Sequence, residues 1–148
     1  MASVASTVDK MTTIDVRNFT RREAPVFPYK KIVASVLPGW EISLVFAGKI
    51  RAKRLNETLR GKSYIPNVLS YETGRRSGEI IICPDVARQQ AASYGLSYTN
   101  FIAFLFIHGL LHLKGRAHGT TMERHERTFL KRFTGANLTY GSTHRDRH

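Results

Sequence analysis

Apolar and polar residues alternate along residues 12–19, where Ile14 and Val16 fall on one side, and along 41–46, where Ile42, Leu44 and Phe46 do. A period of two predicts a strand at each place. Between them, residues 29–37 carry helical spacing, closed by Pro38-Gly39. A basic helix is predicted over 49–59, turning Ile50, Leu55 and Leu59 to the core, with Gly61 placed to end it at positive φ. Residues 68–71 and 79–83 are short apolar runs that predict strands, separated by a polar loop at 72–78. Pro84 suits the first position of a helix, where no N–H is needed, and Gly95 suits its end. The next helix, over 99–113, is apolar nearly all round and therefore interior, and Gly115 stops it. Thr120 and Glu123 have the spacing of a capping box for a last helix running to about residue 133, with Gly135 beyond.

These elements predict an α/β fold of the mixed kind: one small mixed sheet of about four strands packed by four to five helices. Strand order is not legible from the pattern. No repeat or Pro/Gly/Ser-rich linker divides the chain, so residues 1–148 are expected to form a single domain, with about 1–10 and 135–148 as flexible termini.

Charge changes the picture more than length does. Twenty-three Lys and Arg against eleven Asp and Glu give a formal net charge of +12, which predicts attraction to polyanions such as nucleic acid. Cys83 is the only cysteine, which excludes an intrachain disulfide and a thiolate-rich metal site and is compatible with a cytoplasmic location. The segment MASVASTVDK has neither a basic nor an apolar signal region, so no secretory signal is expected. The longest apolar stretch, residues 101–113, is too short to cross a bilayer, and no membrane partner is expected.

The candidate chemistry lies at the end of that stretch, in His108-Gly-Leu-Leu-His112-Leu-Lys-Gly115-Arg-Ala-His118. Residues four apart share a helix face, so His108 and His112 can reach one ion, and a chain break at Gly115 can return His118 to the same point. Three neutral imidazoles suit one Zn2+ ion and leave a fourth tetrahedral position for water, which favours a catalytic over a closed structural site. The spacing also matches the metal-binding run of metzincin peptidases, but Gly109 stands where those enzymes carry their Glu general base. Peptide hydrolysis then lacks its proton acceptor. A metal-free basic domain whose histidines merely pack stays open at this point. His125 suits surface or packing, and His144 and His148 suit a solvated tail.

The histidine run resembles the signature of the YbeY family of rRNA maturation endoribonucleases. The likeness extends to Leu55-Asn56-x-x-x-Arg60-Gly61-Lys62, to Val68-Leu69-Ser70-Tyr71 and to Gly78-Glu79-Ile80, in the family's order, covering residues from about 40 to 133. The resemblance implies a single α/β domain, zinc on His108, His112 and His118, and a functional arginine at Arg60. It also implies cleavage of single-stranded RNA in small-subunit rRNA processing and ribosome quality control, with rRNA and the ribosome or its small subunit as partners. Two departures remove carboxylates: Arg116-Ala117 replace the family's Tyr-Asp before the third His, and Pro66-Asn67 replace its Thr-Asp.

On this reading Arg60 neutralises charge developing on the phosphoryl group. Lys49, Arg51, Lys53, Arg54, Arg60 and Lys62, extended by Arg75 and Arg76, form one basic cluster for phosphates. Lys114, Arg116, Arg124, Arg127, Lys131 and Arg132 form a second. Tyr64 and Tyr71 suit loop packing better than base stacking. The alternatives are an rRNA-binding assembly factor with a structural metal and no cleavage, and a zincin-like metallopeptidase.

Overall fold

Four strands and five helices follow one another along residues 11–115 and 119–139, the residues that the computed structural model describes. In chain order they are β1 (Thr13–Asn18), α1 (Tyr29–Val36), β2 (Glu41–Phe46), α2 (Lys49–Arg60), β3 (Val68–Gly74), β4 (Ser77–Ile82), α3 (Pro84–Gln90), α4 (Tyr98–Leu113) and α5 (Thr120–Thr134). A 3-10 turn at Ala91–Tyr94 extends α3. The expected mixed α/β domain with one small sheet is what forms.

Strand order, which the pattern left open, is β1-β2-β4-β3. β1, β2 and β4 run parallel, and β3 returns antiparallel to β4 along one edge. Alternation along each strand gives the sheet two faces. Ile42, Leu44, Phe46, Ile80 and Ile82 join the main core with α4. Val45, Ala47, Leu69 and Ile81 point the other way, where Leu55 of α2 and Tyr71 pack on them.

Helix α4 is the centre of the main core, with twelve of its sixteen residues buried. Phe101, Phe104 and Phe106 are fully enclosed, each burial stabilising by roughly 1.5–3 kcal/mol. Ser97 starts the helix by accepting from the Asn100 N–H. Gly109 lets it lie close on the sheet: a Cβ there would stand 3.1–3.3 Å from the side chain of Ile80. Gly109→Val should therefore lower stability by about 1–3 kcal/mol, as overpacked cores do. For a chain of this size that corresponds to a fall in Tm of roughly 2–4 °C per kcal/mol, read by thermal denaturation. An unchanged Tm would show that the helix can lift from Ile80 at no cost. No single helix among the described residues is long and apolar enough to cross a membrane.

Three local expectations are corrected. β3 and β4 extend to Gly74 and from Ser77, so most of the expected loop is a hairpin turned at Arg75-Arg76, with Arg76 at φ 54°. Helix α2 buries Ala52 and Asn56, not Ile50 and Leu59, which are 77% and 43% exposed, while Leu55 is half-buried. Asn56 is tolerated inside because its Nδ2 donates to the Tyr64 carbonyl at 2.9 Å. The capping box does not form either. Gly119 is the N-cap of α5 and no side chain caps it, with Thr120 already inside the helix. The expected stops at Gly61, Gly95, Gly115 and Gly135 all take positive φ. Beyond α5, Leu138 is buried, and its carbonyl accepts from Arg127 Nη1 at 3.4 Å.

Candidate metal centre

The candidate site begins where the apolar helix α4 carries its only imidazoles. His108 is completely buried and His112 partly so. Their rings lie edge to face, with centroids 4.7 Å apart, as the i, i+4 spacing predicts. Phe104, one turn earlier, has its centroid 6.3 Å from that of His108.

A buried imidazole needs a partner, and His108 takes it from another helix. Its Nδ1 contacts Oε2 of Glu126 on α5, and both side chains are fully buried. Glu126 lies between Met122 and Leu130 on the buried stripe of α5, so packing of α5 on α4 delivers a carboxylate into the core. In the tautomer with the proton on Nδ1, this contact leaves the lone pair on the buried Nε2, the other ring nitrogen. The two departures noted above remove carboxylates, and sequence reasoning missed the carboxylate that Glu126 sets against His108. Its signal was a lone acid at i+4 from Met122 and i−4 from Leu130, inside an otherwise apolar stripe.

The donor set fits a borderline-soft divalent ion on this observation: two imidazoles on one helix face, one already oriented through its other nitrogen by a carboxylate. His118, the expected third ligand, lies outside the described residues, as do Arg116 and Ala117. Among the described residues no three His, Cys, Asp or Glu side chains group as a metal cluster. Cys83 is buried, and burial pushes its thiol pKa up, so it remains a protonated packing residue.

Arg60 ends α2, where Gly61 turns the chain left-handed. Its Nη1 donates to the Tyr64 hydroxyl at 2.9 Å and to Asn56 Oδ1 at 3.4 Å. Those bonds hold the guanidinium beside the tyrosine ring, whose centroid is 6.0 Å away. The structure thus brings His108 and His112 together and keeps Arg60 on its own element, braced by two neighbours. Asn67, at one of the departures, is buried and donates from Nδ2 to Gln90 Oε1 at 2.8 Å.

The model of the family described as endoribonuclease YbeY matches residues 6–134. The chain belongs to that family. Relatives named endoribonuclease YbeY include one from Bdellovibrio bacteriovorus, 35% identical over 94 residues, covering 62% of this chain and 63% of the relative. One from Aromatoleum aromaticum is 34% identical over 103 residues, covering 68% and 67%. One from Staphylococcus aureus is 35% identical over 100 residues, covering 58% and 64%. The chain thus spans about two thirds of the length of these YbeY relatives, and less in two of the three. A solution structure of a Thermotoga maritima protein shares the fold, with a TM-score of 0.59 at 19% identity, over 80% of this chain and 87% of that one.

Proposed function

We propose that this YbeY-family chain is a zinc-dependent endoribonuclease that cleaves single-stranded RNA, with ribosomal RNA of the small subunit as its substrate and the cytoplasm as its place of work. The observation that carries the reading is the buried His108–Glu126 contact beside His112. A carboxylate on one ring nitrogen, with a second imidazole one helical turn on, is the arrangement that orients a metal-ligating histidine.

His108, His112 and His118 would hold the ion. Zinc bound there would supply Lewis acidity toward the scissile phosphodiester and its attacking water. The chain's own residues do the rest. Glu126 fixes the tautomer and ring plane of His108. Arg60, braced by Asn56 and Tyr64, offers a permanently charged planar fork to the phosphoryl oxygens as negative charge grows on them. The net charge of +12 adds a sequence-independent attraction to the phosphate backbone that salt weakens.

Arg60→Ala is expected to keep its zinc and lose turnover by roughly 100- to 1000-fold, the usual cost of removing a charge-stabilising donor. Elemental analysis of tag-free protein together with a single-stranded RNA cleavage assay checks both halves. Undiminished turnover would remove Arg60 from the mechanism. Stoichiometric zinc with RNA binding and no cleavage by the unaltered protein would instead favour the assembly-factor reading. The peptidase reading is disfavoured by Gly109, which supplies no general base and lies where a Cβ would stand 3.1–3.3 Å from the Ile80 side chain.

A further inference from the structure

The face of the sheet turned away from α4 carries a second constellation. Strand register sets it out in rows. Ser43 of β2, Glu79 of β4 and Tyr71 of β3 stand side by side, because Ser43 pairs with Glu79 and Glu79 with Tyr71. The next row on the same face is Arg17, Val45 and Ile81. Helix α2 walls this floor with Arg51, Arg54 and Leu55, which share one helical face at i, i+3 and i+4. Arg17, Val45, Glu79 and Ile81 of the sheet, these three α2 residues and Phe19, just beyond β1, line a cavity of about 310 Å3. That volume falls at the lower end of small-molecule sites.

The chemistry of the cavity is mixed in a particular way. The Phe19 ring is 56% exposed, and the Arg51 guanidinium lies 4.3 Å from its centroid. Glu79 sits on the floor, where the Tyr71 hydroxyl donates to Oε1 and the Ser43 hydroxyl to Oε2 at 3.4 Å. Burial and the Glu79 carboxylate push the Tyr71 phenol above its ordinary range, so it remains a donor. Three guanidiniums share the cavity with Glu79, yet among the described residues Glu79 makes no ion pair, and Arg17 pairs with Asp15 at 2.9 Å. Each Glu79 oxygen therefore keeps accepting capacity toward the cavity.

A bare anion would be opposed by Glu79, and an acidic peptide would meet the same carboxylate. A purely apolar ligand would cover the Arg51 and Arg54 guanidiniums and the Glu79 carboxylate without satisfying them. A nucleotide satisfies all the parts at once: a planar base with a π-face for Phe19 and Arg51, phosphates for Arg17 and Arg54, and N–H donors on the base edge for Glu79. Guanine fits best, because its N1–H and 2-amino group present two adjacent donors to one carboxylate.

We propose that this cavity binds one unpaired guanine nucleotide of the RNA substrate, on the opposite side of the sheet from the histidines. The inference rests on the proposed ribonuclease function and adds a recognition site to it. The site gives the enzyme a sequence preference at a fixed distance from the cleavage point, which phosphate contacts alone cannot supply.

The test uses the full chain carrying His112→Ala, so that RNA is bound without being cut. Fluorescence anisotropy compares a labelled 12-nucleotide RNA of A and U containing one central guanine with the same RNA containing inosine, which lacks the 2-amino group. The guanine RNA is expected to bind several-fold tighter, and Glu79→Gln to erase that difference. Phe19→Ala should weaken binding of the guanine RNA by roughly 5- to 100-fold, the usual range for a lost stacking contact. Arg54→Ala, at a solvent-facing helix position, supplies a second variant that leaves the fold intact and should also weaken binding. RNA that is bound, and cut by the unaltered chain, with no response to guanine, Phe19 or Arg54 overturns the cavity assignment alone. RNA neither bound nor cut by the unaltered chain overturns the ribonuclease reading beneath it.

Discussion

Replacing His112 with alanine is expected to strip the metal and abolish RNA cleavage together. The argument is one of valence and of address. His112 is the ligand candidate on the open end of α4, one turn beyond His108 and only partly buried, so its loss removes a donor without opening a hole in the core. A site with three protein donors that loses one keeps too few to hold zinc against a chelator. Tag-free protein should fall from one zinc per chain to nearly none, and cleavage of a single-stranded RNA should drop to background. The melting temperature should change little beyond the loss of whatever stability the metal contributes. Retention of a full equivalent of zinc by His112→Ala would show that the ion sits elsewhere, and full cleavage would end the metal mechanism.

The second large effect is expected at Glu126, a position that no motif in the sequence marked. Burying a carboxylate in an apolar core costs several kcal/mol, and such a group persists only where a partner compensates it. Here the partner is His108 Nδ1. Glu126→Gln keeps the shape and can still accept from Nδ1–H, but it removes the charge that makes the imidazole a better donor to a metal. Zinc affinity should fall by about 10- to 100-fold, measured by competition with a chromogenic chelator, with little change in Tm. Glu126→Leu should behave differently, leaving His108 without its acceptor in the core and lowering stability by about 1–3 kcal/mol. Glu126→Asp should recover part of the affinity if the carboxylate itself matters. Equal zinc affinity in the parent and Glu126→Gln proteins would reduce Glu126 to a packing partner.

Much of the architecture was legible because it follows from local chemistry. The strands at β1 and β2 show a period of two, and α4 announces itself as a run of apolar side chains too long for a strand. Gly61, Gly95, Gly115 and Gly135 mark stops that require positive φ. Where reading failed, a non-local partner had decided. Ile50 and Leu59 are apolar and helical in spacing, yet α2 turns Ala52 and Asn56 inward, because Ala52 packs on Cys83 and Val86 at the start of α3 and Asn56 finds the Tyr64 carbonyl. Thr120 and Glu123 have the spacing of a cap, but the chain enters α5 through Gly119 instead.

The same division runs through the sites. Residue order alone placed His108 and His112 on one face of a buried helix, because the pitch of an α-helix is a local property. The same order carried the basic charge and the segments that identify the family. Tertiary structure alone decided that Glu126, eighteen residues on, would meet His108, since that contact depends on how α5 packs across α4. It also gathered Arg17, Arg51, Glu79 and Phe19 around one cavity, through strand register and the packing of α2 on the sheet, which join segments distant in the chain. Helical periodicity is written into short stretches of sequence. Contacts between elements are chosen by the packing of the whole core, and no short stretch contains them.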